Sequence, residues 1–279
     1  MLDNSVTKKI EDFVYAKPRS IQEIAQHINK NWRTADRYVK EIEENFGTLA
    51  SRTFREGTRG ALKIVYWASI EKISNSVFQE ILEKDILNAK QKEDFSAFEI
   101  FQYIPEKNKK AHIRTAKNEN EAGGLEDFFK ILLNAKKQVL FFSGNLSFIN
   151  VGSKKQTFFD IIEELVKKNI KIKVICRVDI AGKQNIEKLL SLNFKHKKEL
   201  IEIHHRSQPL RATIIDNQII DLKEIAEPTG KIKELDKKTF IFYTIKDKEW
   251  AEWLSRIFWK MFSNSIDANK RLQEINRIF

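Results

Sequence analysis

Between Asn31 and Lys40 the chain reads NWRTADRYVK, and these residue types at this spacing suit contact with nucleic acid. Trp32, Arg33 and Thr34 crowd the start of a helical pattern, and Arg37 and Lys40 follow one and two turns on. Arginine can donate two hydrogen bonds to one guanine, and threonine can touch a thymine methyl or a phosphate. A helix N-terminus itself favours phosphate. Ala35, Val39 and Ile42 recur on the other side as a face to bury, while Glu41, Glu43 and Glu44 come later, away from the basic end. Trp32 has two readings, a contact to DNA or a packing cap on the helix. The same pattern would also serve a helix that contacts protein, with Arg33 and Arg37 merely solvated.

A second group of reactive types lies in HHRSQPLRATIIDN, from His204 to Asn217. Adjacent side chains on a strand point to opposite faces, so His204 and His205 cannot readily share a metal. His27, His112 and His196 are scattered, and the one cysteine, Cys176, sits in the apolar run KIKVICRV. Neither a zinc site nor a disulfide framework is expected, and no cofactor motif is present. The net charge of +11 calls for an acidic partner, whether nucleic acid, an anionic surface or an acidic ligand, without choosing among them. A 42% hydrophobic and 32% charged composition is that of a folded globular chain. No apolar run is long enough to span a bilayer, and MLDNSVTKKIEDF lacks the apolar core of a signal peptide. The expectation is a cytoplasmic protein with no membrane partner.

The elements that must position these residues follow from periodicity. Val6 to Ala16 reads as a helix ended by Pro18, and Ser20 caps a second helix with Ile21, Ile24, Ala25 and Ile28 inward. The third helix starts near Asn31. Two β-rich runs, TLASRTF and ALKIVYW, flank REGTRG as a hairpin, placing Arg52, Arg55 and Arg59 where they could meet backbone or minor groove. Three helices and a basic hairpin make a winged helix-turn-helix, expected over residues 1–68. Residues 69–92 read as an amphipathic linker helix carrying Ile70, Ile73, Val77 and Ile81, either a dimer seam or a packing face. Residues 93–124 are weakly patterned, with SAFEIFQYI a candidate strand. Beyond Leu125 helices alternate with buried strands: QVLFFSGN, KIKVICRV, LIEIHHR, RATIID, NQIIDL and TFIFYTI, with a short helix over Ile186 to Leu192 and a Trp/Phe-rich helix from Asp247. That alternation predicts an α/β class with a mixed sheet flanked by helices over residues 93–279, its core at about 125–265. The final helix, with Leu272, Ile275 and Ile278, either packs on that unit or meets a second copy.

From LEDFFKILLNAKKQVLFFSGN through KKNIKIKVICRV and QPLRATIIDN to TFIFYTI, the chain resembles the phospholipase D-like domain that archaeal TrmB-type regulators carry behind a winged helix. NWRTADRYVKEIEE is similar to the winged helices of archaeal regulators. Catalytic members of that superfamily use His-x-Lys-x4-Asp, whose histidine attacks phosphorus. Aligned on Asp216, this chain has Pro209 at the histidine and Arg211 at the lysine, and LKEIAEPTG where Gly-Ser-x-Asn should follow. The resemblance therefore implies a catalytically dead scaffold with no catalytic residue. Arg211 and Asp216 would pair, line a vestigial anion pocket, or sit at a dimer interface. SGNLSF either borders that pocket or is a plain βα turn with Gly144 and Asn145 chosen for backbone geometry. The expected function is a homodimeric, sequence-specific regulator of transcription whose partner is double-stranded DNA, its second domain serving dimerisation or the sensing of a small molecule or protein. Two alternatives stand beside it: a phospholipase D-type nuclease targeted by its winged helix, and a non-catalytic DNA-binding or adaptor module of a defence or repair assembly.

Overall fold

The computed structural model describes residues 4–45, 48–55, 61–67, 75–115, 125–152, 156–228 and 237–278. The first unit runs α1 (Asn4–Ala16), β1 (Arg19–Ser20), α2 (Ile21–His27), α3 (Trp32–Asn45), β2 (Leu49–Arg55) and β3 (Ala61–Trp67), a winged helix-turn-helix with antiparallel strand order β1-β3-β2. Local chemistry fixes its turns. The Ser20 hydroxyl accepts from the amide of Glu23, whose carboxylate accepts from the amide of Ser20, a reciprocal cap on α2. The Asn31 carboxamide oxygen accepts from the amide of Thr34 (2.9 Å) at the start of α3. Ile10, Val14, Ile24, Ala25, Ala35, Val39, Ile42 and Val65 close over one another as the core of this unit.

The hairpin has two faces. Val65 turns into that core, while Phe54, Leu62 and Ile64 join a different cluster with Phe98, Phe101 and Tyr243. The two units therefore share buried apolar surface. Between them lie α4 (Asn75–Asn88), α5 (Phe98–Phe101) and β4 (Lys109–Thr115). The expected strand in SAFEIFQYI is instead the single turn α5. Ser96 begins it by accepting from the amide of Phe98, and a spacing of three buries both Phe98 and Phe101. β4 escaped sequence reading because KKAHIRT holds only two apolar positions, Ala111 and Ile113. α4 buries Leu82 and Ile86 and leaves Val77 and Ile81 40% and 52% exposed. Ile70 and Ile73 lie outside the described residues.

The second unit continues with α6 (Leu125–Leu133), β5 (Gln138–Phe142), α7 (Phe158–Lys167), β6 (Lys171–Cys176), α8 (Ile180–His196), β7 (Ile201–His205), β8 (Ala212–Ile215), β9 (Ile219–Ala226), β10 (Thr239–Ile245), α9 (Lys248–Ser263), β11 (Ile266–Asp267) and α10 (Ala268–Ile278). Its sheet has the order β11-β7-β6-β5-β8-β9-β10-β4. β5, β6 and β7 are parallel and the other pairs antiparallel. β5 and β8 at the centre are buried on both faces, whereas β9 and β10 alternate buried with partly exposed positions. Along β5, Leu140 and Phe142 meet α9, while Val139 and Phe141 face the side of α6, α7, α8 and α10. The helix expected over Ile186 to Leu192 is longer, because Asp179 caps it by accepting from the amide of Gly182. Ile186, Leu189 and Leu192 are only its inward stripe.

Candidate nucleic-acid interface

On α3, Arg33, Arg37 and Lys40 are exposed, while Ala35, Val39 and Ile42 are fully buried. Spacings of four and three put the three cations on one stripe, about 10 Å long at 1.5 Å per residue. Aromatic neighbours steady the two arginines: the Arg33 guanidinium lies 5.6 Å from the Trp32 ring and that of Arg37 5.3 Å from the Tyr38 ring. Trp32 is partly buried against the first core, so packing is its established part. The Thr34 hydroxyl lies 3.1 Å from the Asn31 oxygen and belongs to the helix cap. Asp36 sits between Lys63 of β3 (2.8 Å) and Lys40 (3.5 Å), tying the helix to the hairpin beneath it.

The hairpin arginines differ from expectation. Arg52 does not face outward. Its guanidinium donates to both carboxylate oxygens of Glu106 (2.9 and 3.1 Å) and lies 5.2 Å from the Phe101 ring, so it joins the two units. The reason is strand alternation, which puts Arg52 on the same face as Phe54. Arg55 closes β2, with its side chain outside the described residues, and Arg59 and the hairpin tip are also outside them.

Arg211 and Asp216 are not brought together. Four strand residues separate them, and they occupy opposite ends of β8. The Asp216 carboxylate accepts from the amides of Lys136 (2.8 Å), Lys137 (2.9 Å) and Gln138 (3.0 Å), clamping the α6–β5 turn to the β8–β9 turn. Asp216 and Asn217 both adopt positive φ, 52° and 56°, which short polar side chains tolerate. Asp216→Ala should therefore cost about 2–3 kcal/mol in denaturant unfolding, because it deletes charge-assisted bonds, and leave nucleic-acid affinity unchanged.

At the other end, Arg211 donates to the Leu210 carbonyl (2.8 Å). Burial first, and Arg177 second, pull its pKa down. Its guanidinium fills the space over Gly144, where an added Cβ would lie 2.7 Å from Nη2. The glycine of SGNLSF thus provides clearance, and the positive φ of that turn (60°) falls on Leu146. Arg211, Lys223, Glu224 and Phe95 line a cavity of about 510 Å³, closed from the first unit by Lys17 and Gln22. Glu224 accepts from the Ser96 hydroxyl (2.7 Å) and the Tyr243 hydroxyl (3.1 Å), and burial raises its pKa. Sequence reasoning missed this cavity because segments far apart in the chain build it.

The histidines take separate partners. His205 Nδ1 accepts from the amide of Val178 (2.9 Å), whereas His204 Nδ1 faces the Phe262 carbonyl and the Ser265 hydroxyl. Among the described residues no helix is long and apolar enough to cross a membrane.

No protein-family model matches the sequence, and no curated protein does. Three solved structures are weakly similar to it. TrmBL2, an archaeal chromatin protein with a novel mode of DNA binding, is 16% identical over 95% of this chain and 94% of its own, with a TM-score of 0.39. Nuc from Salmonella typhimurium, a phospholipase D family member, is 12% identical over 57% of this chain and 97% of its own, with a TM-score of 0.38. NucT from Helicobacter pylori is 14% identical over 57% of this chain and 99% of its own, also at 0.38. At such values function must be argued from this chain's own residues.

Proposed function

We propose that this chain is a sequence-specific DNA-binding regulator of transcription whose winged helix inserts α3 into the major groove. The observation that carries the reading is the exposed stripe Arg33, Arg37 and Lys40, backed by the buried stripe Ala35, Val39 and Ile42. A basic stripe of about 10 Å fits a major groove about 12 Å wide. In this reading the second unit does no phosphodiester chemistry. Pro209 offers no nucleophile, Arg211 is packed against Gly144, and Asp216 is occupied by backbone amides. The protein acts as a homodimer, and α4 is the seam: Val77 and Ile81, one turn apart, remain outside the fold's own packing. Ile81→Glu should then convert dimers to monomers in sedimentation at micromolar protein while keeping the unfolding midpoint. An unchanged sedimentation profile would remove α4 from the interface.

The deciding experiment is selection of duplex DNA from a genomic pool by the purified protein at physiological salt, read beside a direct assay for nicking. A motif with two-fold symmetry and half-sites about one helical turn apart supports a dimeric regulator. Binding without any motif moves the function to general DNA packaging or an assembly role. Nicking that disappears on changing Asp216 would restore the nuclease.

A further inference from the structure

A second basic surface lies at the far end of the second unit. The N-terminal ends of the parallel strands β5, β6 and β7 come together there with the turns that precede them. The amide of Lys171 donates to the Lys137 carbonyl (3.1 Å), and that of Ile172 to the Leu200 carbonyl (2.8 Å), so the three turns are adjacent. Each turn carries lysine. Some of these have structural work. Lys168 donates to the Leu133 carbonyl, and Lys198 to the Val166 carbonyl, where helices α6 and α7 end. Lys167 and Lys195 pair with Glu164 and Glu163. Together these four meet the ordinary demand of helix C-termini for positive charge.

Four more are surplus to that demand. Lys136, Lys137, Lys171 and Lys197 are exposed, and among the described residues none has an acidic partner. Two acids share the edge: exposed Glu199, and Asp216, whose carboxylate is held by the amides of Lys136, Lys137 and Gln138. A separate observation falls at the same place. Phe194, in the last turn of α8, is 85% exposed, although burying such a side chain is worth about 2 kcal/mol. Folding explains neither the surplus lysines nor this ring.

We infer that this edge is a second nucleic-acid contact surface, taking the phosphate backbone of a duplex with Lys136, Lys137, Lys171 and Lys197 while the Phe194 ring rests against the groove. The inference takes its class of partner from the DNA-binding reading above but uses none of the α3 residues. The spacing suits a duplex. From β7 across β6 to β5 is two strand intervals, on the order of 10 Å, comparable with the width of a major groove, about 12 Å, between its two phosphate rows. A lipid surface fits less well, because a single exposed ring supplies too little apolar area for insertion. Position adds a consequence. β8 starts beside the cavity under the winged helix and ends at the lysine edge. The winged helix thus meets the end of β8 opposite the lysines, and in this proposal the duplex on the lysines is a different segment from the one α3 enters. One chain can bridge two segments.

The test uses the full chain in three forms: wild type, Arg33→Ala/Arg37→Ala, and Lys136→Gln/Lys137→Gln/Lys171→Gln/Lys197→Gln. Labelled duplex of arbitrary sequence is titrated at several salt concentrations, and bead-bound operator duplex is tested for capture of a second, labelled duplex. The α3 variant should keep salt-sensitive binding to arbitrary duplex. Adding the four lysine changes to it should weaken that binding at least tenfold and lower the log–log salt slope by about 3–4, near 0.9 for each phosphate that goes unneutralised. The lysine variant alone should keep operator affinity and fail to capture the second duplex. Phe194→Ser, a single exposed change that spares the fold, should weaken arbitrary-duplex binding a few-fold. Residual binding that ignores the lysine changes would overturn the proposal. So would flotation of the wild type with phosphatidylserine vesicles, abolished in the lysine variant, when arbitrary duplex is not bound. Operator binding that survives the α3 changes speaks against the α3 assignment alone and leaves the lysine surface standing.

Discussion

Arg33→Ala/Arg37→Ala should lower affinity for the selected operator by about 3–4 kcal/mol, or several hundred-fold, since each arginine that reads a base edge is worth about 1–3 kcal/mol. The fold should survive. Both side chains are exposed, and alanine is the better helix former. The double change also removes two surface cation–π pairs, Arg33 with Trp32 and Arg37 with Tyr38, worth about 0.5–1 kcal/mol each. Thermal unfolding should therefore shift by only a few degrees while binding collapses. Lys40→Ala should behave differently. Lys40 is shared with Asp36, so its removal should weaken binding only modestly and equally for all sequences, as a phosphate contact does. Calorimetry for the fold and fluorescence anisotropy for binding separate the two effects. An α3 double variant that binds operator like wild type would place the reading head elsewhere.

Much of this architecture was legible in the sequence, and what escaped has physical reasons. The buried stripe of α3 and the Ser20–Glu23 cap are local signals at helical spacing, and they can be read directly. β5 and β6 were legible because burial on both faces leaves unbroken apolar runs. α5 was misjudged because SAFEIFQYI is rich in β-formers, and burial against the hairpin overrode propensity. Long-range pairings left no local trace. Nothing near Arg52 announces Glu106, so a residue placed by type on the DNA side belongs to the joint between the units. Asp216 is the same case. Its place in a phosphodiesterase-like motif suggested a pocket, whereas a positive φ and three backbone amides make it a turn clamp.

Stability should also respond to pH. Glu99 and Asp221 are largely buried, and burial pushes each pKa up to about 7, from 4.5 and 3.8. Around Glu99, the Ser96 amide and Lys17 favour its charge, while Asp85 and Glu224 oppose it. Asp221 is opposed by burial alone and eased by the Thr244 hydroxyl (2.9 Å) and Arg114. A carboxyl whose folded pKa exceeds its unfolded value binds its proton more tightly when folded. Its protonated burial is free of penalty below the unfolded pKa, and the penalty grows from there until pH passes the folded pKa, above which it is constant. Stability should accordingly fall between about pH 4 and pH 7 and then level off. The two groups together cost at most about 8 kcal/mol at the upper end. On the acid side the sign reverses. The Lys90 and Gln91 amides hold the Asp94 pKa down, and hydrogen bonds led by Lys195 hold that of Glu163 down, so both lose stabilising charge as pH falls through their folded values. A maximum well on the acid side of neutrality results. Asp221→Asn isolates one contribution, because the amide keeps an acceptor for Thr244 and cannot ionise. The variant's margin over wild type in urea unfolding should grow by about 3 kcal/mol between pH 5 and pH 8. Equal stability at both pH values would mean that Asp221 charges freely in the folded chain and that the slope belongs to Glu99 and Glu224.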